Sequence, residues 1–581
     1  MVGAACAALF QPQMVGSTWL RRFELAAVVF HVNKAGVDLD RRSITWWTLV
    51  AGGAITSFLL AGCSKHETAV DAGIRTQTFH VGNGVEPQGL DPQTTTGASD
   101  WTVQRTIFEG LMNSDPVTGE PSPGVAMRWE KSSDLLRYTF YLRPEARWSN
   151  GKPVVANDFV RTAQRALSPA LAAEVANDFF WLAGARAYYE GKERDFSHVG
   201  IRAVDALTLE YRLAEPLPFF LELLRYRMGT PLPIDVITEH GGAEKRGTPW
   251  TRPGRLVGNG AFTLKEWVQN KSIVVEKSPT YWDRDRVKLQ RIVFYPVENA
   301  ETEEMMFRAG QLHLTANVPP TKIETWRRDQ PEALWLEPEQ RVRFLVVNPK
   351  RPPLDDVRVR RALALAIDRA QIARVLGGGR AAARSLAPTS GADFVAQAQF
   401  QDDPATARTL LADAGYPGGK GVKKLEVLLP NRGNARLMVE MVQEMWRKNL
   451  GIEVVFNVQE WGVYIDSENN GQYDIAYDGW NMSHPYLFYD LNRSGSLLTR
   501  YLWSSAEYDG LLTEAARAPT PSAEAVVYAR LEAVLAREMP LIPVHFETST
   551  YLLHPSVRGW HPNPKTIHPV NHLWLEAPKK D

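Results

Sequence analysis

The chain has 581 residues, more than one hydrophobic core usually supports, so its length predicts two or more lobes. Sixty-six Lys and Arg residues balance 66 Asp and Glu residues, and this zero net charge argues against a nucleic-acid partner. Hydrophobic residues at 44% and charged residues at 23% are typical of a folded protein. Because Cys6 and Cys63 are the two cysteines, the rest of the chain has neither an internal disulfide nor a thiolate metal site.

The amino-terminal segment has the pattern of an export signal. Residues 44–61 form an uncharged apolar run that follows Arg41 and Arg42. The run is long enough to just cross a bilayer, so a membrane anchor is the alternative interpretation. The two arginines also permit a twin-arginine signal, although the residues after them fit that motif weakly.

The end of this run favours lipidation over a membrane span. Residues 60–63, Leu-Ala-Gly-Cys, resemble the lipobox of bacterial lipoproteins, in which the cysteine is acylated and the peptide before it is removed. We therefore expect residues 1–62 to be an extension with a lipoprotein signal peptide, and Cys63 to be the lipidated mature terminus. The polar residues 63–77 predict a flexible tether, and the folded body is expected to begin near Thr78.

The clearest secondary-structure pattern lies between residues 424 and 480. Alternating apolar residues predict a first strand at Leu425, Val427 and Leu429. A helix follows, whose apolar positions Leu437, Met441 and Met445 recur at four-residue spacing, with Val442 and Trp446 beside them. Gly451 suits a helix C-cap, and a second strand alternates directly after it at Ile452, Val454, Phe456 and Val458. With a third strand at residues 474–477, the pattern predicts a βαβ unit with a right-handed crossover.

The carboxyl ends of these strands predict a binding site. In open α/β sheets the ligand lies beyond the carboxyl ends of the strands. The residues that stand there are Asn431, Arg432, Glu460, Trp461, Asp478, Gly479, Trp480 and Asn481.

Catalytic motifs are absent from the sequence. The nearest string to a P-loop, residues 415–421, fails on spacing and places Gly421 where a magnesium-binding Ser or Thr is needed. The sequence contains neither H-E-x-x-H nor G-x-S-x-G. Four histidines near the carboxyl end make a zinc site conceivable, but the prolines among them favour loop histidines instead: His554, His561, His568 and His572. We therefore expect no metal, no cofactor, no catalytic residue and no enzymatic activity.

The body also resembles the extracellular solute-binding proteins of bacterial ABC importers, and among them the oligopeptide-binding family. The matching segments run in order along residues 78–581, and they include Gly89-Leu90-Asp91-Pro92, Phe108-Glu109-Gly110-Leu111, Trp148-Ser149-Asn150-Gly151-Lys152-Pro153, Ser278-Pro279-Thr280-Tyr281-Trp282, Asp356-Val357-Arg358-Val359-Arg360 and Gln459-Glu460-Trp461. The resemblance implies an α/β fold of the periplasmic-binding-protein type, with two lobes joined by a hinge. It places lobe one at residues 78–108, 234–341 and 558–581, an extra subdomain of lobe one at 109–233, and lobe two at 342–557.

The sequence departs from this family at the expected ligand contacts. The resemblance implies an aspartate that pairs with the α-ammonium group of the ligand, and Ser483 stands at that position. Two arginines of the family correspond to Glu468 and Tyr477, and the lobe-two disulfide is missing because Arg341 and Asn481 occupy its positions.

Two tryptophans of the family's site, Trp461 and Trp480, are retained and are expected to line the interlobe cleft, with burial in the hydrophobic core as their alternative.

The missing aspartate leaves two alternatives for the ligand. Either another acid pairs with its ammonium group, the nearest being Glu468, Asp478 and Asp490, or the natural ligand lacks a free amine. Arg432 and Arg436 are candidates for binding a ligand carboxylate, and an exposed helix start is an equal alternative for both.

The sequence therefore predicts a substrate-binding lipoprotein of an ABC importer, which binds oligopeptides between its lobes and delivers them to the permease. The expected ligand contacts are Arg432, Trp461, Glu468, Tyr477, Gly479, Trp480, Asn481 and Ser483. Its expected partners are permease and ATPase subunits, and it is expected to be a monomer in the periplasm or cell envelope, held to a membrane by Cys63. A binder of another solute, such as a cell-wall fragment or an amine-blocked peptide, is the first alternative, and an exported hydrolase is a distant one.

Overall fold

A computed structural model describes residues 67–388, 399–431, 433–481, 484–496, 501–518, 520–563 and 565–578. The predictions for residues 1–62, Cys63, Arg432 and Ser483 lie outside these ranges. The chain separates into Met1–Glu67 and Thr68–Asp581, and the description below concerns the second unit. Within the described ranges, no helix combines the length and the apolar character needed to cross a bilayer.

The described strands, in chain order, are β1 Thr78–Gly82, β2 Met112–Ser114, β3 Pro121–Pro123, β4 Ala126–Lys131, β5 Arg137–Leu142, β6 Ile201–Ala203, β7 Thr208–Arg212, β8 Phe262–Val268, β9 Ser272–Lys277, β10 Arg291–Tyr295, β11 Leu334–Val347, β12 Ala381–Ala382, β13 Leu425–Pro430, β14 Val454–Gln459, β15 Ile475–Asn481, β16 Leu541–Leu552, β17 Val557–Arg558 and β18 Trp574–Leu575.

The described α-helices are α1 Ala69–Thr76, α2 Ala98–Ile107, α3 Ala156–Ala166, α4 Ala185–Tyr189, α5 Phe220–Leu223, α6 Ile234–Glu239, α7 Ala300–Arg308, α8 Ile323–Asp329, α9 Val357–Leu365, α10 Arg369–Leu376, α11 Pro404–Asp413, α12 Ala435–Leu450, α13 Trp461–Asn469, α14 Pro485–Asp490, α15 Ala506–Ala516 and α16 Pro521–Glu538.

Three larger sheets organise the fold. The first has the strand order β1-β10-β9-β8, the second β4-β5-β7-β6, and the third β12-β16-β11-β15-β13-β14. The first sheet buries apolar residues in a core of its own: Phe79, Val81, Ile273, Val275, Ile292 and Phe294. The second sheet lies in the segment predicted as the extra subdomain. The third lies mainly in the segment predicted as lobe two, with the first half of β11 in the segment predicted as lobe one. This α/β architecture agrees with the predicted two-lobed fold, while the domain boundaries stay a prediction.

Two long strands, β11 and β16, connect the lobes. In the half of each strand nearer lobe one, the pairing begins at Leu334 with Leu552 and runs to Pro338 with Thr548. Within it, Trp335 stacks on Tyr551 with the ring centroids 6.1 Å apart. Their inner halves pair from Val342 with Phe546 and enter the core of lobe two. The register shifts between Pro338 and Val342 and again between Arg343 and Phe344. These strands therefore form the hinge, and their ladder is irregular at its middle.

The predicted βαβ unit is present in the third sheet. Strands β13 and β14 pair in parallel, α12 crosses between them, and β13 also pairs in parallel with β15. Gly451 caps α12 in the left-handed conformation, as expected. The predicted apolar face of the helix is confirmed at Val442 and Trp446, which are buried, while Met441 and Met445 are half-buried. It is wrong at Leu437, which is 43% exposed, and Met438 and Val439 are buried in its place.

The predicted tether also differs from the structure, because residues 69–76 form helix α1. Thr68 and Asp71 cap its start in a reciprocal capping box. Gln77 then exchanges two hydrogen bonds with the backbone of Leu575 in β18, at 2.7 and 3.0 Å. The folded body therefore begins at Thr68 and not near Thr78.

The segment predicted as the extra subdomain, residues 109–233, contacts both of the segments predicted as lobes. Arg165 in α3 pairs with the lobe-one residue Asp91 at 2.7 Å, and both side chains are buried. On the other side, Glu215 pairs with Arg493 of lobe two at 2.9 Å. The ring of Phe219 packs against that of Tyr486 of lobe two at 5.5 Å, so the apolar core continues from the subdomain into lobe two.

Candidate ligand-binding site

A cavity of about 600 Å³ lies between the lobes, beside the hinge strands. Lobe one contributes the start of α7, residues 316–320 and the start of α8. Lobe two contributes the ends of β13 and β15 and the start of α13. The cavity therefore lies at the carboxyl ends of the parallel strands, where the sheet pattern predicts a ligand.

The end of β15 has one open edge at this cavity. Strand β15 pairs with β11 along residues 475–481, but it pairs with β13 only at Ile475 and Ala476. On the unpaired side, Tyr477 O accepts a hydrogen bond from Tyr464 Oη, and the backbone N–H of Gly479 donates to Asp478 Oδ1 at 2.6 Å. The side chains of Tyr464 and Asp478 therefore form hydrogen bonds with backbone groups of β15 that an added strand could bond instead.

Aromatic side chains form one wall of the cavity. Trp461, at the start of α13, is 40% exposed, and its ring stacks on that of Tyr464 at 5.5 Å. Tyr464 itself is buried, and Tyr477 lines the cavity from β15. This wall offers a large apolar surface beside the open strand edge.

Strand β11 and the segment between α10 and β12 supply a basic wall, formed by Arg343 and Arg380. Arg343 Nε and Arg380 Nε donate to the two oxygens of the single carboxylate of Glu547, at 3.0 and 2.7 Å. Arg380 Nη1 also donates to Gly377 O at 3.2 Å, beyond the end of α10. Burial raises the pKa of Glu547, but nearby His545, Arg380 and Arg343 together hold this pKa below its ordinary value. Two cations thus share one carboxylate, which leaves a positive charge at the cavity wall.

An acidic group faces the same cavity from β15. Asp478 Oδ2 accepts from Tyr501 Oη at 2.5 Å and from Trp480 Nε1 at 3.2 Å. Nearby, Glu468 Oε1 accepts a hydrogen bond from Tyr464 Oη at 3.1 Å. Burial, followed by the charge of Asp478, holds the pKa of Glu468 well above its ordinary value. The cavity therefore carries both an acidic and a basic group.

Comparisons with known proteins agree on one family. Residues 120–496 match the family described as bacterial extracellular solute-binding proteins, family 5. The chain is 32% identical over 533 residues to the periplasmic oligopeptide-binding protein OppA of Escherichia coli K12, which covers 89% of this chain and 96% of that protein. The chain belongs to family 5 of the bacterial extracellular solute-binding proteins.

Two further family 5 members are similar over most of their length. The periplasmic murein peptide-binding protein MppA of Escherichia coli K12 is 33% identical over 490 residues, which is 82% of this chain and 88% of that protein. The structure of Haemophilus influenzae OppA in complex with the peptide RPPGFSPFR has a TM-score of 0.71 and 28% identity, and covers 86% of this chain and 99% of that one. This similarity extends to both lobes of the family 5 fold.

The predicted site residues of this family 5 protein do not all line the same cavity. Trp461, Tyr477 and Gly479 line the interlobe cavity. Asn481 lines a second cavity of about 330 Å³, together with residues of α2 and the segment 565–571. Arg432 and Ser483 lie outside the described residues.

The expectation that Trp480 lines the cleft differs from the structure. Its indole N–H donates to Asp478 and Tyr501, and its half-buried ring packs against the core of lobe two. It is not among the residues that line the interlobe cavity. The local reason is the pair of acceptors on the lobe-two side, which hold the indole away from the cleft.

The remaining candidates have internal partners. Glu468 lies behind Asp478 and not in the lining of the cavity. Asp490 is buried and pairs with Arg493 at 2.7 Å. Arg436 pairs with Glu440 on the exposed surface of α12, which agrees with the exposed helix start. In the described ranges, no three His, Cys, Asp or Glu side chains are grouped so that they could hold a metal ion.

Sequence reasoning missed the basic wall. Arg341 and Arg343 follow Glu337 and Glu339 at alternate positions of β11, and this pattern is a usable signal for a charged strand face. Arg380 and Glu547 have no comparable local signal, because residues far apart in the chain form their pairing.

Proposed function

We propose that this family 5 protein is the substrate-binding subunit of an ABC importer and that its ligands are oligopeptides. The open edge of β15 at Gly479 is the observation that supports this proposal best. An extended peptide added at this edge would replace the side-chain contacts of Tyr464 and Asp478 with main-chain hydrogen bonds, whatever the peptide's own side chains are. The relatives named for oligopeptide binding support the same reading.

The charges of the cavity suit the two ends of a peptide. In the proposal, Asp478 faces the ligand's ammonium group, and the basic wall of Arg343 and Arg380 faces a carboxylate. Trp461 and Tyr464 supply apolar contact between them. Closure of the lobes about β11 and β16 would then bury the peptide, and separate ATPase subunits would drive its transport.

The proposal also covers the processing of the protein and its location in the cell. The mature protein would begin at Cys63, carry acyl chains and act as a monomer in the periplasm or cell envelope. The domain boundaries given above belong to the same proposal, with the start of lobe one moved to Thr68. Binding would occur without turnover of the ligand, because the protein would act as a carrier and not as an enzyme.

A murein-derived peptide is the second candidate. MppA, the relative named for murein peptide binding, is 33% identical to this chain, and Ser483 replaces the aspartate expected for an unmodified amino terminus. Such a ligand would still be peptide-like.

The experiment is native mass spectrometry of the protein purified from its own cells, followed by titration with the identified compound. A bound peptide that is recovered intact, with a stoichiometry of one, is the expected result. A murein peptide would select the second candidate. Recovery of hydrolysed ligand, or of a compound without peptide bonds, would overturn the proposal.

A further inference from the structure

The second cavity, of about 330 Å³, lies where the segments predicted as lobe one, the extra subdomain and lobe two meet. Helix α2 contributes Arg105, the subdomain contributes Tyr226, and the end of β15 contributes Asn481. Tyr477 and Gly479 of the same strand line the interlobe cavity. Because each residue of a strand advances about 3.3 Å, Asn481 lies about 7 Å along β15 from Gly479. A peptide extended along the open edge of β15 would therefore reach the second cavity.

Arg105 is a cation of this cavity without a carboxylate partner. Its Nη2 atom donates to the carbonyl oxygen of His568 at 2.6 Å, and among the described residues its other nitrogens have no hydrogen-bond partner. Burial lowers the pKa of Arg105, and the neighbour that opposes this shift is Tyr226 and not an Asp or Glu. Removing a cation from water without a counter-ion is costly, so the free side of this guanidinium group favours an anion.

The other charged side chains that line the cavity already have partners. Arg225 and Lys565 both pair with Glu222, which is buried and lies outside the lining, and Lys565 also pairs with Glu120 at 3.0 Å. Glu109 is the acid of the lining, and three side-chain donors bond its oxygens at 2.6–2.7 Å: Asn113, Tyr281 and Trp282. The uncompensated positive charge of the cavity is therefore at Arg105.

The surroundings of Arg105 offer apolar surface and a free amide. The rings of Trp101 and Tyr226 both line the cavity, with their centroids 6.1 Å apart. The side-chain amide of Asn481 is exposed and has no hydrogen-bond partner among the described residues, so its N–H groups can donate to a ligand. These surroundings suit a carboxylate that is carried on a short apolar chain.

We propose that the second cavity is a subsite for a carboxylate of the ligand, which Arg105 binds, so that the protein favours peptides with an acidic group at their amino end. The inference deepens the proposed function and rests on it for the peptide nature of the ligand and for its direction, with the amino end near Asp478. Two sources supply this chemistry: an acidic side chain on the first residue, or an acidic substituent on the amino group. The free nitrogens of Arg105 would hold either carboxylate by charge-assisted hydrogen bonds.

The experiment compares matched acidic and neutral peptides by isothermal titration calorimetry at neutral pH. The first pair is Glu-Ala-Ala and Gln-Ala-Ala, and the second is N-succinyl-trialanine and N-acetyl-trialanine. We expect the acidic member of at least one pair to bind at least about tenfold more tightly than its neutral partner. A preference within the first pair assigns the carboxylate to a side chain, and a preference within the second assigns it to a substituent of the amino group.

Three variants separate the subsite from a structural role of Arg105. Arg105→Gln should bring the ratio of acidic to neutral affinity close to one, whereas Arg105→Lys keeps the charge and should keep part of the preference. Arg255→Gln, at an exposed position of lobe one outside the cavity, is the matched control and should keep the wild-type ratio. The ratio is the decisive measurement, because loss of the bond to His568 alone would weaken both members of a pair equally.

The outcomes distinguish this inference from the proposed function. If the wild type binds the members of both pairs equally, or if Arg105→Gln keeps the full preference, the carboxylate subsite is wrong and peptide binding stands. Should circular dichroism show that the Arg105 variants are unfolded, the salt dependence of the wild-type preference decides: a preference that does not weaken with sodium chloride contradicts the charge contact. If none of the peptides binds, the proposed function fails and the subsite fails with it.

Discussion

At Gly479, strand β15 passes very close to the neighbouring strand β11. A Cβ atom at this position would lie 2.5 Å from Arg343 Cδ and 2.7 Å from Val342 O. One of these two neighbours is backbone and cannot move aside alone. The absence of a side chain at Gly479 thus lets Arg343 lie across the strand and reach Glu547.

Substitution of Gly479 tests this packing. We expect Gly479→Ala to displace Arg343, to lower the free energy of unfolding by about 1–3 kcal/mol and to weaken peptide binding at least tenfold. Gly510→Ala is the matched control, because a Cβ there meets no atom within 4 Å. Chemical denaturation and calorimetry measure the two effects. Equal behaviour of the two variants would contradict the close contact.

The two tryptophans predicted at the cleft should respond differently to ligand. Trp461 lines the cavity and is partly exposed, whereas Trp480 is held by Asp478 and Tyr501. In single-tryptophan-deletion variants, Trp461→Phe should abolish most of the ligand-induced protection from acrylamide quenching, and Trp480→Phe should leave it largely intact. The reverse pattern would place Trp480 at the ligand.

Helix α1 lies on a cluster of buried histidines. A Cβ at Gly73 would lie 2.6 Å from the ring of His313, so the helix packs directly on that side chain. Below it, the rings of His80 and His313 stack at 5.6 Å. Burial lowers the pKa of His80 to about 4 and that of His313 to about 3.

These pKa values predict loss of α1 packing in acid. Because the folded state keeps both histidines neutral, their contribution to stability is present above the unfolded pKa near 6.5 and is lost as the pH falls towards 3–4. The loss should be about 1.4 kcal/mol per pH unit for each histidine within that window. Amide hydrogen exchange of residues 69–76 should accelerate below pH ~6. His313→Asn should show a flatter pH profile, and an unchanged profile would exclude His313 as the cause.

Sequence patterns predicted the secondary-structure elements better than they predicted the buried faces of helices and the contacts between side chains. The strands and the helix between residues 424 and 480 follow from local periodicity, and all are present. The buried face of α12 includes the predicted Val442 and Trp446, and Trp446 donates to Leu363 O, but Met438 and Val439 are buried where Leu437 was expected. The position of Trp480 depends on Tyr501, which lies far enough along the chain that no local pattern reveals it. Helix α1 was missed because its docking depends on β18 at the other end of the chain.

At the scale of the whole molecule, the ion pair between Arg493 and Glu215 joins the predicted extra subdomain to lobe two. Arg493 pairs with Glu215 of the subdomain and with the buried Asp490 beside it. Glu215 is 40% exposed at its side chain, so the pair itself contributes about 1 kcal/mol or less. Its effect should therefore appear in the balance of open and closed forms and not in global stability.

The closed form should be less populated when this pair is removed. We expect Glu215→Gln to shift the ligand-free ensemble towards more open forms by about fivefold or less, which small-angle scattering measures as a larger radius of gyration. Saturating peptide should restore the wild-type value. Glu210→Gln removes a pair within the subdomain, with Arg202, and is the control that should leave the radius unchanged. A similar increase in both variants would point to local unfolding of the subdomain.

The irregular ladder between β11 and β16 has a consequence for how a partner meets this molecule. The ladder between β11 and β16 is interrupted at two places, so bending there disturbs fewer backbone hydrogen bonds than bending elsewhere along these strands. We therefore expect the main slow motion of the protein to be a change in the angle between its lobes. A partner whose surface contacts both lobes would therefore respond to the interlobe angle. Such a partner could distinguish the ligand-bound protein from the ligand-free protein without contacting the ligand.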